Sequence, residues 1–129
     1  MSTSPLPSKI AIIAGRGAYP LLLAESARTQ GVTRVVVIAF KKETDPRITS
    51  VADDVHWISM GQLGRMLEAL AQTGVKHAVM AGQITPTHLF RVRMDAKMLS
   101  ILKQLTTRNA ETIYGAICKE LTEMGIELL

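Results

Sequence analysis

The sequence predicts an α/β protein with a Rossmann-like, three-layer architecture: a parallel sheet of about four strands, helices on both faces, and a helical C-terminal part. Short apolar runs rich in β-branched residues alternate with segments of helical periodicity. The second run, residues 34–40, is apolar almost throughout, as is typical of parallel strands covered on both faces. Three of these runs lead into a glycine, which is typical of strand-to-helix turns.

Each strand and helix is predicted from its local pattern. The four predicted strands are Lys9–Ala14, Arg34–Phe40, Asp54–Ile58 and His77–Ala81. Helices are predicted at about residues 20–30, 59–72 and 94–106, and a last one begins after Asn109 as N-cap. Ser59 and Gln62 have capping-box spacing at the start of the second helix. Residues 126–129 resemble the beginning of another element.

Composition limits the classes of function. The chain has 129 residues, enough for one domain, and is 47% hydrophobic but only 4% aromatic, so its core must be aliphatic. Few aromatic residues and a net charge of +4 without long basic runs argue against nucleic acid as a partner. This mild positive charge is compatible with an anionic ligand or an anionic lipid surface.

The single cysteine, Cys118, excludes an intramolecular disulfide and favours a reducing, cytoplasmic setting. No apolar stretch approaches the roughly 20 residues that a membrane-spanning helix needs. The N-terminus lacks the pattern of a signal peptide. We therefore expect residues 1–8 to form a disordered tail and residues 9–129 to form a single Rossmann-like domain.

Glycine turns are the main candidates for a binding site. Gly15, Gly61 and Gly82 each follow a predicted strand, so all three should lie at the edge of the sheet where the strands end, hereafter the carboxyl edge. Around Arg16, backbone amides and the start of a helix could cradle an anion. A tight turn without a ligand explains the first glycine pair equally well.

A dinucleotide cofactor is disfavoured. The third glycine of the nicotinamide-type turn is replaced by Pro20. The end of the second strand reads Phe40-Lys41-Lys42, with Glu43 only in the following loop. A phosphate or a nucleotide diphosphate remains compatible with the turn.

No catalytic set is visible among the remaining polar residues. His56, His77 and His88 have no metal-binding spacing, and Cys118 on a helix reads as a small core residue. The adjacent Asp53 and Asp54 precede a strand and should lie at the wrong end of the sheet. A basic group after the third glycine turn is either a solvated face or a patch for a phosphate or an anionic membrane; it comprises Arg91, Arg93 and Lys97.

Three motifs together resemble the N-terminal domain of the LpxI family, the UDP-2,3-diacylglucosamine pyrophosphatases of lipid A synthesis. They are residues 13–20 around Arg16, residues 56–64 from His56-Trp57 to Gly61-Gln62-Leu63-Gly64, and residues 80–86 around Gly82. The resemblance implies hydrolysis of UDP-2,3-diacylglucosamine to UMP and lipid X at the inner membrane face, with a divalent metal, usually magnesium. It also implies that the lipid-linked UDP-sugar contacts Gly15, Arg16, Gly17, Gly61, Gln62, Gly64, Gly82 and Thr85. We assign Arg16 to a phosphate of this ligand, with the glycine amides around the same phosphate.

Two features depart from that family. Its members carry a C-terminal domain that holds the catalytic acid and metal residues, and this sequence ends before it. Many members also have Gly-Asp-Asp where this chain has residues 109–111, of which only Glu111 is acidic. The expectation is a substrate-binding domain that is inactive alone, binds no metal by itself and contributes no catalytic residue.

The alternative is a stand-alone module without catalysis, which binds a nucleotide, a phosphosugar or another protein. Such a module would form a stable oligomer, for example a homodimer, through the last two helices. Nucleotide binding by the isolated chain discriminates between the two hypotheses.

Overall fold

The computed structural model describes residues 7–83, 94–107 and 110–129. Its strands are β1 (Lys9–Ala14), β2 (Arg34–Phe40), β3 (Asp54–Ile58), β4 (His77–Ala81) and β5 (Glu127–Leu128). Its α-helices are α1 (Tyr19–Thr29), α2 (Leu63–Thr73), α3 (Ala96–Gln104) and α4 (Ala110–Glu123), and a short 3₁₀ helix spans Pro46–Ser50.

The five strands form one parallel sheet in the order β3-β2-β1-β4-β5. Side chains alternate between its faces, as the period of two along a strand requires. On one face, Ile12 and Val37 pack under α1 and the 3₁₀ helix. On the other face, Ile13 and Ile38 pack against α2, α3 and α4. Both faces are therefore covered, and the predicted three-layer α/β architecture is confirmed.

Four strands have the bounds that the sequence predicts, because their apolar runs are sharply limited by polar residues and glycines. The sheet has five strands instead of about four, since residues 127–128 pair with His77 and Ala78 of β4. The prediction of a capping box at Ser59 is wrong. Helix α2 begins at Leu63, and the side chain of its N-cap residue, Gln62, makes no capping hydrogen bond.

Asp53 lies at the amino edge of the sheet, away from the glycine turns, as the sequence predicts. Its carboxylate accepts a hydrogen bond of 2.7 Å from the Val35 amide and pairs with Arg28 at 2.9 Å. The neighbouring Asp54 pairs with Arg34 at the start of β2. These contacts connect the beginning of β3 to β2 and α1, so Asp53 and Asp54 have a structural role.

Acid should weaken the fold partly through Asp53. The hydrogen bond from the Val35 amide, with help from Arg28, lowers the pKa of this carboxyl below its usual value. The carboxylate therefore stabilises the fold above the unfolded-state pKa of about 3.9, and this stabilisation is lost as the pH falls through the lower folded-state pKa. We expect Asp53→Asn to lose less stability than the wild type between pH 7 and pH 3 in urea unfolding, and an unchanged acid dependence would contradict this role.

Among the described helices, none combines the length and the hydropathy needed to cross a bilayer.

Candidate functional site

The order of the strands places a topological switch point between β1 and β4. From β1 the chain proceeds to β2 and then β3 on one side, and it returns to place β4 on the other side of β1. In open parallel sheets, ligands bind outside the carboxyl ends of the strands at such a point. Gly15 directly follows β1 and Gly82 directly follows β4, so two of the predicted turns meet there.

The backbones of these two turns touch. The Gly15 amide donates a hydrogen bond of 2.7 Å to the Ala81 carbonyl oxygen. Arg16 and Gln83 exchange two backbone hydrogen bonds of 2.8 and 3.0 Å, hereafter the Arg16–Gln83 bridge. A Cβ atom added to Gly15 would lie 2.7 Å from the Gln83 oxygen, and one added to Gly82 would lie 2.8 Å from the Arg16 oxygen. Both positions require glycine for this close approach.

This contact corrects the hypothesis of an open amide cradle at the first turn. The amides of Gly15 and Arg16 already donate to protein carbonyl oxygens, so neither is available to an anion. The bridge closes the switch point and leaves a depression on each side of it.

An apolar cavity of about 300 Å³ opens on the side of α2, α3 and α4. Its walls are mostly aliphatic and include Met66 of α2, Met98 of α3 and Ile117 of α4. Gly61, Gln62 and Gly82 lie along the same cavity. The second and third glycine turns therefore converge on one cavity. The volume of this cavity lies at the lower end of the range for small-molecule sites.

Tyr114 also lines this cavity, with about half of its surface exposed. Partial burial, together with the nearby Cys118 thiol one helical turn away, raises the pKa of the Tyr114 phenol. The phenol is therefore a neutral hydrogen-bonding group beside otherwise apolar walls. Cys118 itself is half-buried, more accessible than the core residue that the sequence predicts.

A polar cleft of about 520 Å³ lies beyond the carboxyl ends of β2 and β3. Arg16 and Gly17 line it, so the first glycine turn faces this cleft and not the apolar cavity. The Arg16 guanidinium, which is half exposed, pairs with Glu43 at 3.1 Å. Lys42 and Trp57 also line this cleft.

The loop between β2 and the 3₁₀ helix is held firmly beside this cleft. Thr44 is buried, and its hydroxyl donates to the Ala14 carbonyl at 2.6 Å while it accepts from the Phe40 amide at 2.8 Å. Lys42 in the same loop has a backbone φ of 68°, a value that residues other than glycine rarely adopt. Such strain persists only where surrounding contacts impose it.

The start of α2 is occupied by a carboxylate from the same chain. Asp95 accepts a 2.6 Å hydrogen bond from the Gly64 amide through Oδ2 and a 2.9 Å bond from the Met98 amide through Oδ1. One side chain thus caps both α2 and α3. The Gly64 amide, predicted to contact a ligand, has a protein acceptor in this structure.

The predicted site residues therefore divide into three groups. Gly61, Gln62 and Gly82 line the apolar cavity, whereas Arg16 and Gly17 line the polar cleft. The amides of Gly15 and Gly64 donate hydrogen bonds to other groups of the protein. Thr85 lies outside the described residues, as do His88, Arg91 and Arg93.

Sequence reasoning assigned no ligand role to Lys42, Trp57 or Tyr114, all of which line the two depressions. The one available signal was Trp57, a lone tryptophan in a short predicted strand of an aromatic-poor chain. The positions of Lys42 and Tyr114 depend on a strained loop and on helix packing, which leave no local sequence pattern.

Comparison with known proteins gives a family and a fold. A search of solved structures finds the biotin carboxylase subunit of pyruvate carboxylase (TM-score 0.57, 18% identity), covering 95% of this chain and 22% of that one. It also finds the biotin carboxylase domain of the Hydrogenobacter thermophilus 2-oxoglutarate carboxylase (TM-score 0.56, 15% identity), covering 94% of this chain and 22% of that one. At these identities the likeness concerns the fold alone, and the chain spans about a fifth of the length of those proteins.

A search of curated proteins finds no significant match. The family described as the LpxI N-terminal domain matches residues 9–129, which is nearly the whole chain and includes all three glycine turns. The chain therefore belongs to the LpxI N-terminal domain family.

Proposed function

We propose that this chain is the substrate-binding, N-terminal domain of a UDP-2,3-diacylglucosamine pyrophosphatase. The full enzyme hydrolyses UDP-2,3-diacylglucosamine to lipid X and UMP in lipid A biosynthesis. Family membership supports an LpxI-related function and the context of lipid A biosynthesis. The reaction and the substrate are the more specific part of the proposal.

One observation carries this more specific part: an apolar cavity and a polar cleft flank the same Arg16–Gln83 bridge. The substrate has the same division, because acyl chains lie at one end of the molecule and a charged nucleotide at the other. The cavity walls suit an acyl chain, whose transfer from water gains about 0.8 kcal/mol for each buried methylene group. The Arg16 guanidinium suits a phosphate, with which it forms charge-assisted hydrogen bonds.

The described residues do not fit a metal centre. Within residues 7–83, 94–107 and 110–129, no three His, Cys, Asp or Glu side chains come together in a group that could hold an ion. We therefore assign this domain the work of binding and orienting the substrate. A second domain would supply the catalytic acids and the magnesium ion. The enzyme would act in the cytoplasm, at the inner face of the membrane where the lipid substrate lies.

Binding measurements can test this proposal. We expect the chain to bind a short-chain UDP-2,3-diacylglucosamine, used below its micelle concentration, at least about tenfold more tightly than UDP-N-acetylglucosamine. Burial of about two methylene groups of an acyl chain is enough for a tenfold difference in affinity. Ile117→Gln, which places an amide on the cavity wall, should remove this preference and leave binding of UDP-N-acetylglucosamine unchanged. Isothermal titration calorimetry measures both affinities.

Arg16→Ala should weaken binding of both ligands, because both carry the pyrophosphate. Arg65→Ala is the matched control, since Arg65 is exposed on α2 and lines neither depression. Equal binding by Arg16→Ala and the wild type would remove Arg16 from the site. Absence of binding of any uridine nucleotide, by the wild type itself, would favour the alternative of a protein-interaction module.

A further inference from the structure

We propose that the polar cleft holds the nucleoside end of the ligand, with the base stacked on Trp57 and the adjoining phosphate near Lys42 and Arg16. This inference rests on the proposed function, which supplies uridine as the nucleoside. It adds a location for the nucleotide and two binding residues, Trp57 and Lys42, that the glycine turns do not predict.

Trp57 is the first reason. It is the only tryptophan in the chain, and it lies on the edge strand β3 opposite Ala39, with 36% of its surface exposed beside the cleft. Leaving an indole partly in water sacrifices part of the hydrophobic stabilisation that burial would give. A flat aromatic surface that remains accessible in a cleft is a stacking platform for a base.

The charges around the cleft are the second reason. Its acidic side chains already have cationic partners: Glu43 pairs with Arg16, and Asp45 pairs with Arg47 at 2.7 Å. Asp45 also accepts a hydrogen bond from the Arg47 amide, and these contacts lower the pKa of its carboxyl, so it stays ionised and engaged. Among the described residues, no carboxylate lies within ion-pair distance of the Lys42 ammonium. Among the described cations that line the cleft, Lys42 is therefore the one without a carboxylate partner.

The third reason is the rigidity of the wall that carries Lys42. The Glu43 and Thr44 amides both donate to the Phe40 carbonyl at 3.0 Å, and the buried Thr44 hydroxyl ties the loop to β1. Lys42 is held in its left-handed conformation by this turn. The backbone that carries the Lys42 side chain is therefore ordered before a ligand binds, which lowers the entropy cost of ordering this loop on binding.

The competing location for a phosphate is the start of α2, and it is less suitable. The Asp95 carboxylate already accepts the Gly64 amide there and would repel a second anion. In contrast, Ala18, the N-cap residue of α1, directly follows Gly17 of the cleft, and α1 has no side-chain cap and no acidic residue in its first turn. The positive end of the α1 dipole therefore adds to the charges of Lys42 and Arg16.

The lone tryptophan makes the proposal directly testable in the chain itself. Titration with UMP should quench or shift Trp57 fluorescence, whereas ribose 5-phosphate, which lacks the base, should bind without a comparable change. By calorimetry, Trp57→Ala should weaken UMP binding roughly 5- to 150-fold, the range measured when a base loses its aromatic platform, and Trp57→Phe should retain most of the affinity. Neither Trp57 variant should alter binding of ribose 5-phosphate.

Lys42→Asn removes the charge but keeps a residue that tolerates positive φ, so it should weaken binding of both UMP and ribose 5-phosphate without disturbing the loop. Lys76→Ala is the matched control, because Lys76 is exposed just before β4, at the opposite edge of the sheet. If UMP binds by calorimetry but Trp57→Ala and Lys42→Asn bind it as the wild type does, the nucleotide lies elsewhere and this inference is overturned while the proposed function stands. If the wild type binds neither UMP nor the diacylated UDP-sugar, both proposals fail.

Discussion

Gly82→Ala is expected to destabilise the fold by about 2–4 kcal/mol, because it combines a strained backbone conformation with a steric overlap. Gly82 has a φ of 92°, and an added Cβ would lie 2.8 Å from the Gly15 carbonyl carbon and the Arg16 oxygen. Both of those atoms belong to the backbone, so they cannot rotate away as a side chain would. The turns after β1 and β4 must separate, at the expense of the Arg16–Gln83 bridge. Urea unfolding followed by circular dichroism measures the loss.

Three other glycines separate the two causes. Gly15→Ala introduces the overlap, 2.7 Å from the Gln83 oxygen, without a positive φ. Gly17→Ala introduces only the strain of a φ of 103°, with no atom within 4 Å, and should cost about 1–2 kcal/mol. Gly115→Ala, in the middle of α4 with open space around it, should stabilise the fold by about 0.5–1 kcal/mol. A smaller effect of Gly82→Ala than of Gly17→Ala would refute the importance of the close contact.

Asp95→Ala is expected to cost about 2–3 kcal/mol, more than the loss of an ordinary helix cap, because one carboxylate serves two helices. The Met98 amide of α3 and the Gly64 amide of α2 would both lose their acceptor. The Asp95 amide also donates to the Gly61 carbonyl at 3.2 Å, which joins this double cap to the second glycine turn. The apolar cavity, lined by Leu63 and Met98 from the two helices, should widen as a result.

Asp95→Asn is the graded variant, because its amide group retains one acceptor oxygen for two donors, so its unfolding free energy should fall about half as far. Glu111→Ala is the control, since Glu111 is an exposed acidic residue in the first turn of α4 and should cost only about 0.3–1 kcal/mol. Thermal and urea unfolding compare the three variants. Equal losses for Asp95→Ala and Glu111→Ala would show that the double cap contributes nothing beyond the helix dipole.

The strands were predictable because their signal is local. The run from Arg34 to Phe40 is apolar enough to be buried on both faces, and glycine or polar residues mark its ends. Helix boundaries were less predictable where the cap comes from elsewhere in the chain. Ser59 has the right spacing from Gln62 for a capping box, yet α2 is capped by Asp95, which is 31 residues away from Gly64. Residue spacing cannot reveal such a partner, because it depends on how α2 and α3 pack.

The position of the glycine turns was predictable, and their hydrogen bonding was less so. Parallel strands bring the turns at Gly15, Gly61 and Gly82 to one edge of the sheet, and their positions after strands were visible in the sequence. The amides of Gly15 and Arg16 were expected to face a ligand, whereas they are bonded across to the turn after β4. That outcome depends on β1 and β4 being neighbours, and the sequence contains no local signal of strand order.

The alternation of apolar runs, helix-period segments and glycines by itself determined the α/β class, four strands with their bounds, and the edge of the sheet at which the turns converge. Its motifs also pointed to the LpxI family. Only the tertiary structure decided that the switch point is closed by the Arg16–Gln83 bridge, with an apolar cavity on one side and a cleft containing Lys42 and Trp57 on the other. The physical reason is the distance along the chain over which each effect acts. Hydrophobic periodicity and turn preferences act over a few neighbouring residues, whereas cavities and caps of this kind arise from contacts between segments that are distant in the chain.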